Sequence, residues 1–106
     1  MQIRPSALDA TVTVIEVETG DEGPMVDMLE TRGHGYAILG VEPKTVVIDR
    51  RILDQGLTRN HLLAVEAHEI SHVHFPDADE TETDRAAIRL LTNNKMFMAA
   101  RILRRR

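Results

Sequence analysis

Apolar residues along the chain fall first into short β-branched runs and later into repeats at helical spacing. Thr11-Val-Thr-Val-Ile-Glu-Val-Glu18 is rich in Val, Ile and Thr and partly alternates, which predicts a strand. Thr19-Gly-Asp-Glu-Gly-Pro24 is a turn cluster. Met25, Met28 and Leu29 then stand at helical spacing and predict a short helix, broken by Gly33 and Gly35. Tyr36–Leu39 and Thr45–Asp49 read as two further strands. Gly40-Val-Glu-Pro-Lys44 between them suits a hairpin loop, because Gly and Pro both favour turns.

From Arg50 the spacing changes. Arg50 to Gln55 predicts a single helical turn closed by Gly56, and Thr58 is a good N-cap for the next helix. Leu62, Leu63, Val65, Ile70 and Val73 give that helix an apolar side. Pro76 ends it, since the residue before proline avoids the helical region. Asp77-Ala-Asp79 forms the turn, and acidic residues suit the start of the following helix, whose buried side is Ala86, Ala87, Leu90 and Leu91. Asn93-Asn94 interrupts it. Met96, Phe97, Met98, Ile102 and Leu103 form the apolar face of a last helical piece. The expected architecture is α+β, with a small antiparallel sheet of about three strands packed on these two main helices. At 106 residues the chain reads as a single domain, 1–106.

Composition narrows the chemistry. With no cysteine there is no disulfide framework, thiolate zinc site or cysteine nucleophile, so any metal ligand must be His, Asp or Glu. No apolar run approaches the length of a transmembrane helix, and MQIRPSALDA lacks the apolar centre of a signal peptide. A soluble, cytoplasmic protein is expected. All 17 acidic residues precede Lys95, whereas the last twelve residues carry Lys95, Arg101, Arg104, Arg105 and Arg106. The acidic body argues against nucleic acid as a general partner.

The candidate site is His68-Glu69-Ile70-Ser71-His72, an HExxH motif, with Glu80 and Asp84 close behind. Residues four apart share a helix face, so His68 and His72 can reach one metal ion, with Glu69 beside them. If the chain turns at Pro76–Asp79, His72 and Glu80 fall at similar depth in a helical hairpin, as do His68 and Asp84. Glu80 then completes a His68–His72–Glu80 ligand set, and Asp84 reaches the outer nitrogen of His68. Two histidines and a glutamate with one position open match a catalytic Zn2+ site. Glu82, Asp79 and Asp77 compete for the third ligand, with Glu82 the nearest rival. His74 points to another face from His72, His61 lies two turns before His68, and His34 has no assignable role.

VVIDRRILDQGLTRNHLLAVEAHEISHVH followed by ETETDRAAIRLL resembles the catalytic core of HtpX-type and CAAX-prenyl-protease-type gluzincin metallopeptidases. The resemblance covers about residues 36–91. It implies a zincin-like fold, His68, His72 and Glu80 as zinc ligands, Glu69 as general base and Asp84 as the outer acid. The interval between the two blocks is far shorter than in those membrane enzymes, and the transmembrane helices are missing. Both departures fit a reduced form similar to the minigluzincins, which a terminal segment sometimes holds latent. Metzincins fit worse, since their pattern needs Gly and His where this chain has Phe75 and Ala78.

The expected function is a zinc metalloendopeptidase, acting on a peptide or protein substrate through a zinc-activated water with Glu69 as base. The alternative is a non-catalytic metal-binding or protein-interaction module on the same scaffold. An edge strand would hold the substrate, with Tyr36–Leu39 the first candidate and Thr45–Asp49 the second. Tyr36 is a candidate for stabilising the transition state. The basic tail, residues 95–106, has three readings: a solvated helix end, a latency segment over the cleft, or a contact for nucleic acid or an anionic membrane.

Overall fold

The computed structural model describes every residue from Met1 to Arg106. The strands are β1 (Gln2–Pro5), β2 (Val12–Val17), β3 (Gly35–Ile38) and β4 (Lys44–Asp49). The helices are α1 (Pro24–Arg32), α2 (Arg59–His74), α3 (Glu80–Asn93) and α4 (Phe97–Arg104), with a 3-10 helix at Arg50–Gln55. The class is α+β, as expected. The sheet, however, has four strands in the order β1-β2-β4-β3 and is mixed. β2 and β4 pair in parallel, Val14 opposite Val46, while the two outer pairs are antiparallel.

Two features account for the difference from the expected three-stranded antiparallel sheet. β1 contains only one strongly β-forming residue, Ile3, and is exposed along most of its length, so its pattern is faint. It is held instead by polar anchors. Arg4 reaches both Glu16 of β2 and Glu66 of α2, and Ser6 Oγ donates to Glu66 at 2.6 Å. β2 and β4 become neighbours because α1 and β3 are inserted between them in sequence, which lets the chain return in the same direction.

Strand alternation sorts the side chains into two cores. Val12, Val14, Val46 and Ile48 face the helical layer and join Ala67, Ile70, Ala87, Leu91 and Leu103. Ile15, Val17 and Val47 face the other way, under Val26 and Leu29 of α1. Fully burying residues such as Ile70 and Leu91 contributes about 1.5–3 kcal/mol each. No helix is long and apolar enough to cross a membrane.

α2 is the central element, lying between the sheet on one side and α3 and α4 on the other. It begins where the sequence indicates. Thr58 Oγ1 accepts from the His61 N–H, and the Thr58 N–H donates to His61 Nδ1 at 3.2 Å. His61 is thus a capping residue. Phe75 caps the other end, with Pro76 following. Asp79 then caps α3, accepting from the Glu82 N–H at 2.8 Å. The short turn between them makes α2 and α3 a tight hairpin, as the expected site requires.

Candidate metal centre

His68 and His72 project from the same face of α2, and their Nε2 atoms lie 3.0 Å apart. Glu80, the first residue of α3, places its two carboxylate oxygens 3.1 Å from the two nitrogens. His68, His72 and Glu80 offer ligand atoms that all lie within 4.8 Å of one another. A tetrahedral zinc with ligands at 2.0–2.1 Å sets neighbouring ligand atoms about 3.3 Å apart, close to this spacing.

The donor chemistry also suits a cation. His68 Nδ1 lies 2.7 Å from Asp84 Oδ1, and a ring proton held between them leaves Nε2 as a bare lone pair. Burial, as the largest cause, lowers the pKa of His72, which favours its neutral ring. His68 Nε2, His72 Nε2 and the two Glu80 oxygens can then face one point as electron-pair donors, so the donor set fits the implied zinc. The Glu80 side chain is 75% exposed, which leaves the outer side of the site open.

The rival third ligands are placed elsewhere. Glu82 lies on a separate groove with Phe75, Ala78 and Arg85, and Asp79 is occupied as the α3 cap. Asp77 is exposed in the turn. His74 pairs with Asp9 at 2.7 Å, and His34 uses its carbonyl to accept from the Asp49 N–H.

The site lies in a cleft of about 280 Å3 between α2 and β3. Its walls include Arg32, Gly35, Tyr36, Leu39, Glu69 and Pro76. β3 has β4 on one side only, so its other edge is free along this cleft. The second candidate for an edge strand, Thr45–Asp49, is corrected: β4 is paired on both sides by β2 and β3. Tyr36 stands in the cleft wall and, with Ile38, also packs against the buried cluster that includes Val26 and Leu29 on the α1 side of the sheet.

Glu69 is 9% exposed, and desolvation raises its pKa to about 7 in the metal-free protein. The charge of His68 opposes the rise and that of Glu80 adds to it. The sign of the resulting pH dependence is definite. Below the ordinary value of 4.5 both folded and unfolded chains hold the proton. Between 4.5 and 7 only the unfolded chain releases it, so stability falls as pH rises, by roughly 3 kcal/mol in all, and levels off above 7. Glu69→Gln lacks this penalty. In urea titrations with a chelator present, its stability relative to wild type should rise across that window. A difference that does not vary with pH would refute the assignment.

Three contributors were not anticipated. Gly35 lets the start of β3 lie directly against α2. A Cβ there would meet Val65 Cγ1 at 2.8 Å, the Val47 carbonyl at 3.0 Å and Glu69 Cγ at 3.2 Å. Gly35→Ala should therefore cost about 1–3 kcal/mol by overpacking, measured by urea unfolding; wild-type stability in the variant would show that the wall gives way freely. Arg106 donates to Asp84 Oδ1 at 2.8 Å, so that one oxygen serves both Arg106 and His68. The tail thus reaches the outer partner of His68, while none of its residues lines the cleft. Glu66, 1% exposed, ties α2 to β1. Its signal in the sequence is an acid on the apolar stripe between Leu62 and Ile70. Gly35 showed only as a helix breaker, and Arg106 only as one cation of the basic tail, with nothing local to single out Asp84 as its partner. No family model, curated protein or solved structure matches the chain.

Proposed function

We propose that the protein is a zinc-dependent metallopeptidase of gluzincin type. The observation that carries this reading is the convergence of His68, His72 and Glu80 on one point, with Glu69 beside them in a cleft walled by a free strand edge. We read the packing of the sheet against the α2–α3 hairpin as zincin-like. Zinc, when bound, supplies Lewis acidity toward water and the scissile carbonyl.

The chain's own groups do the rest. The β3 edge offers unpaired backbone N–H and C=O groups that hold an extended peptide by strand addition. Asp84 accepts the Nδ1 proton of His68, which fixes the ring and leaves Nε2 free to ligate. Glu69 takes a proton from the attacking water as its oxygen bonds to the carbonyl carbon. It returns that proton to the amide nitrogen as the C–N bond breaks.

The test is metal analysis of the purified protein together with its action on a mixture of peptides. One zinc per chain and cleavage at internal bonds are expected. Absence of a stoichiometric divalent metal would remove the site. Metal without cleavage of any peptide would leave a non-catalytic metal-binding module.

A further inference from the structure

The two ends of the cleft differ in chemistry. α2 and β3 run side by side in the same direction. Gly35 lies against Val65 and Glu69, while His74, at the far end of α2, lies beside Lys44 just past the β3 end of the hairpin. The cleft therefore has one end at Arg32, Gly35 and Glu69, and another at Leu39 and Pro76. His68, His72 and Glu80 lie between them.

Arg32 is the only Lys or Arg in the cleft wall. It is the last residue of α1, is exposed, and makes no ion pair or side-chain hydrogen bond. Arg4, Arg50, Arg51 and Arg106 are each committed to a carboxylate, and of the arginines without an ion pair Arg32 alone stands in the cleft wall. The opposite end offers Leu39, 58% exposed, beside Pro76. A peptide pairing antiparallel with β3, the more stable arrangement per residue, runs from the Leu39 end toward the Arg32 end. Arg32 then meets side chains C-terminal to the cleaved bond. A guanidinium without a partner recognises a carboxylate there with two parallel hydrogen bonds.

We propose that Arg32 is a specificity-determining residue that selects peptides with Asp or Glu just after the cleaved bond; this rests on the peptidase reading above. The Leu39–Pro76 end accommodates an apolar residue before that bond. Arg32 touches none of the metal ligands, and its place at an exposed helix end makes substitution compatible with folding.

The experiment uses peptides identical except for Glu, Ala or Lys at the first two positions after the cleaved bond. Wild type should prefer Glu over Ala by about three- to tenfold in kcat/KM. Arg32→Ala should lose that preference, and Arg32→Glu should favour Lys. A second readout needs no turnover: binding of a labelled Glu-containing peptide to zinc-loaded Glu69→Gln protein, by fluorescence anisotropy, should weaken by a similar factor on adding Arg32→Ala. Cleavage without acid preference, or a preference that survives Arg32→Ala, overturns the role of Arg32 and leaves the peptidase reading standing. Arg32-dependent binding with no cleavage by wild type supports the acidic-peptide site and removes the peptidase reading. Neither binding nor cleavage overturns both.

Discussion

Replacing Glu69 with glutamine is expected to lower peptide hydrolysis by about 10²- to 10⁴-fold while the protein still binds one zinc. The two halves of this result come from different atoms. His68, His72 and Glu80 would hold the metal, and their ligand atoms converge without Glu69. Glutamine keeps the size of the side chain and its place against Gly35, so the cleft is preserved. What it lacks is an oxygen that can take up a proton. The loss should appear in kcat, with KM little changed, because peptide binding along β3 does not depend on that proton. A Glu69→Gln protein that cleaves peptides at the wild-type rate would remove Glu69 from the chemistry.

Replacing His72 with alanine is expected to weaken zinc binding by more than about 100-fold, since loss of even an outer partner of a ligand typically costs 10- to 100-fold. The effect should be visible in unfolding as well as in metal titration. A ligand at a hundred times its Kd stabilises the folded state by about 2.7 kcal/mol, which in a domain of this size raises Tm by roughly 10 °C or more. Wild type should show that rise on adding zinc and lose it on adding a chelator. His72→Ala should show neither at the same zinc concentration. The metal-free variant should melt close to metal-free wild type, because the His72 side chain is only partly buried and meets the His68 ring edge-on. An unchanged zinc-dependent rise in His72→Ala would show that the metal sits elsewhere.

These expectations rest on a site whose principal residues were legible in the sequence for local reasons. His68 and His72 share a face because a helix repeats every 3.6 residues. Thr58, Pro76 and Asp79 mark where helices start and stop through backbone chemistry that acts within a few residues. A short turn between two helices leaves little freedom in how they pair. The matching of His72 with Glu80 and His68 with Asp84 followed from counting turns, and the distances agree with it.

What the sequence alone determined, then, was the helical hairpin, its caps and the residues it brings together, because each depends on neighbours close along the chain. The tertiary structure decided the rest. Strand order and direction depend on segments far apart: Val14 pairs with Val46, and β1 is held by a glutamate on α2. No local pattern encodes those partners. That order in turn left the edge of β3 free, enclosed β4, and placed Tyr36 both in the cleft wall and against the α1-side cluster. It also put Gly35 beneath Glu69 and Arg32 at the end of the cleft. The hairpin that gathers His68, His72, Glu80 and Asp84 is a product of local spacing; the cleft beside it is a product of how the sheet packs against α2.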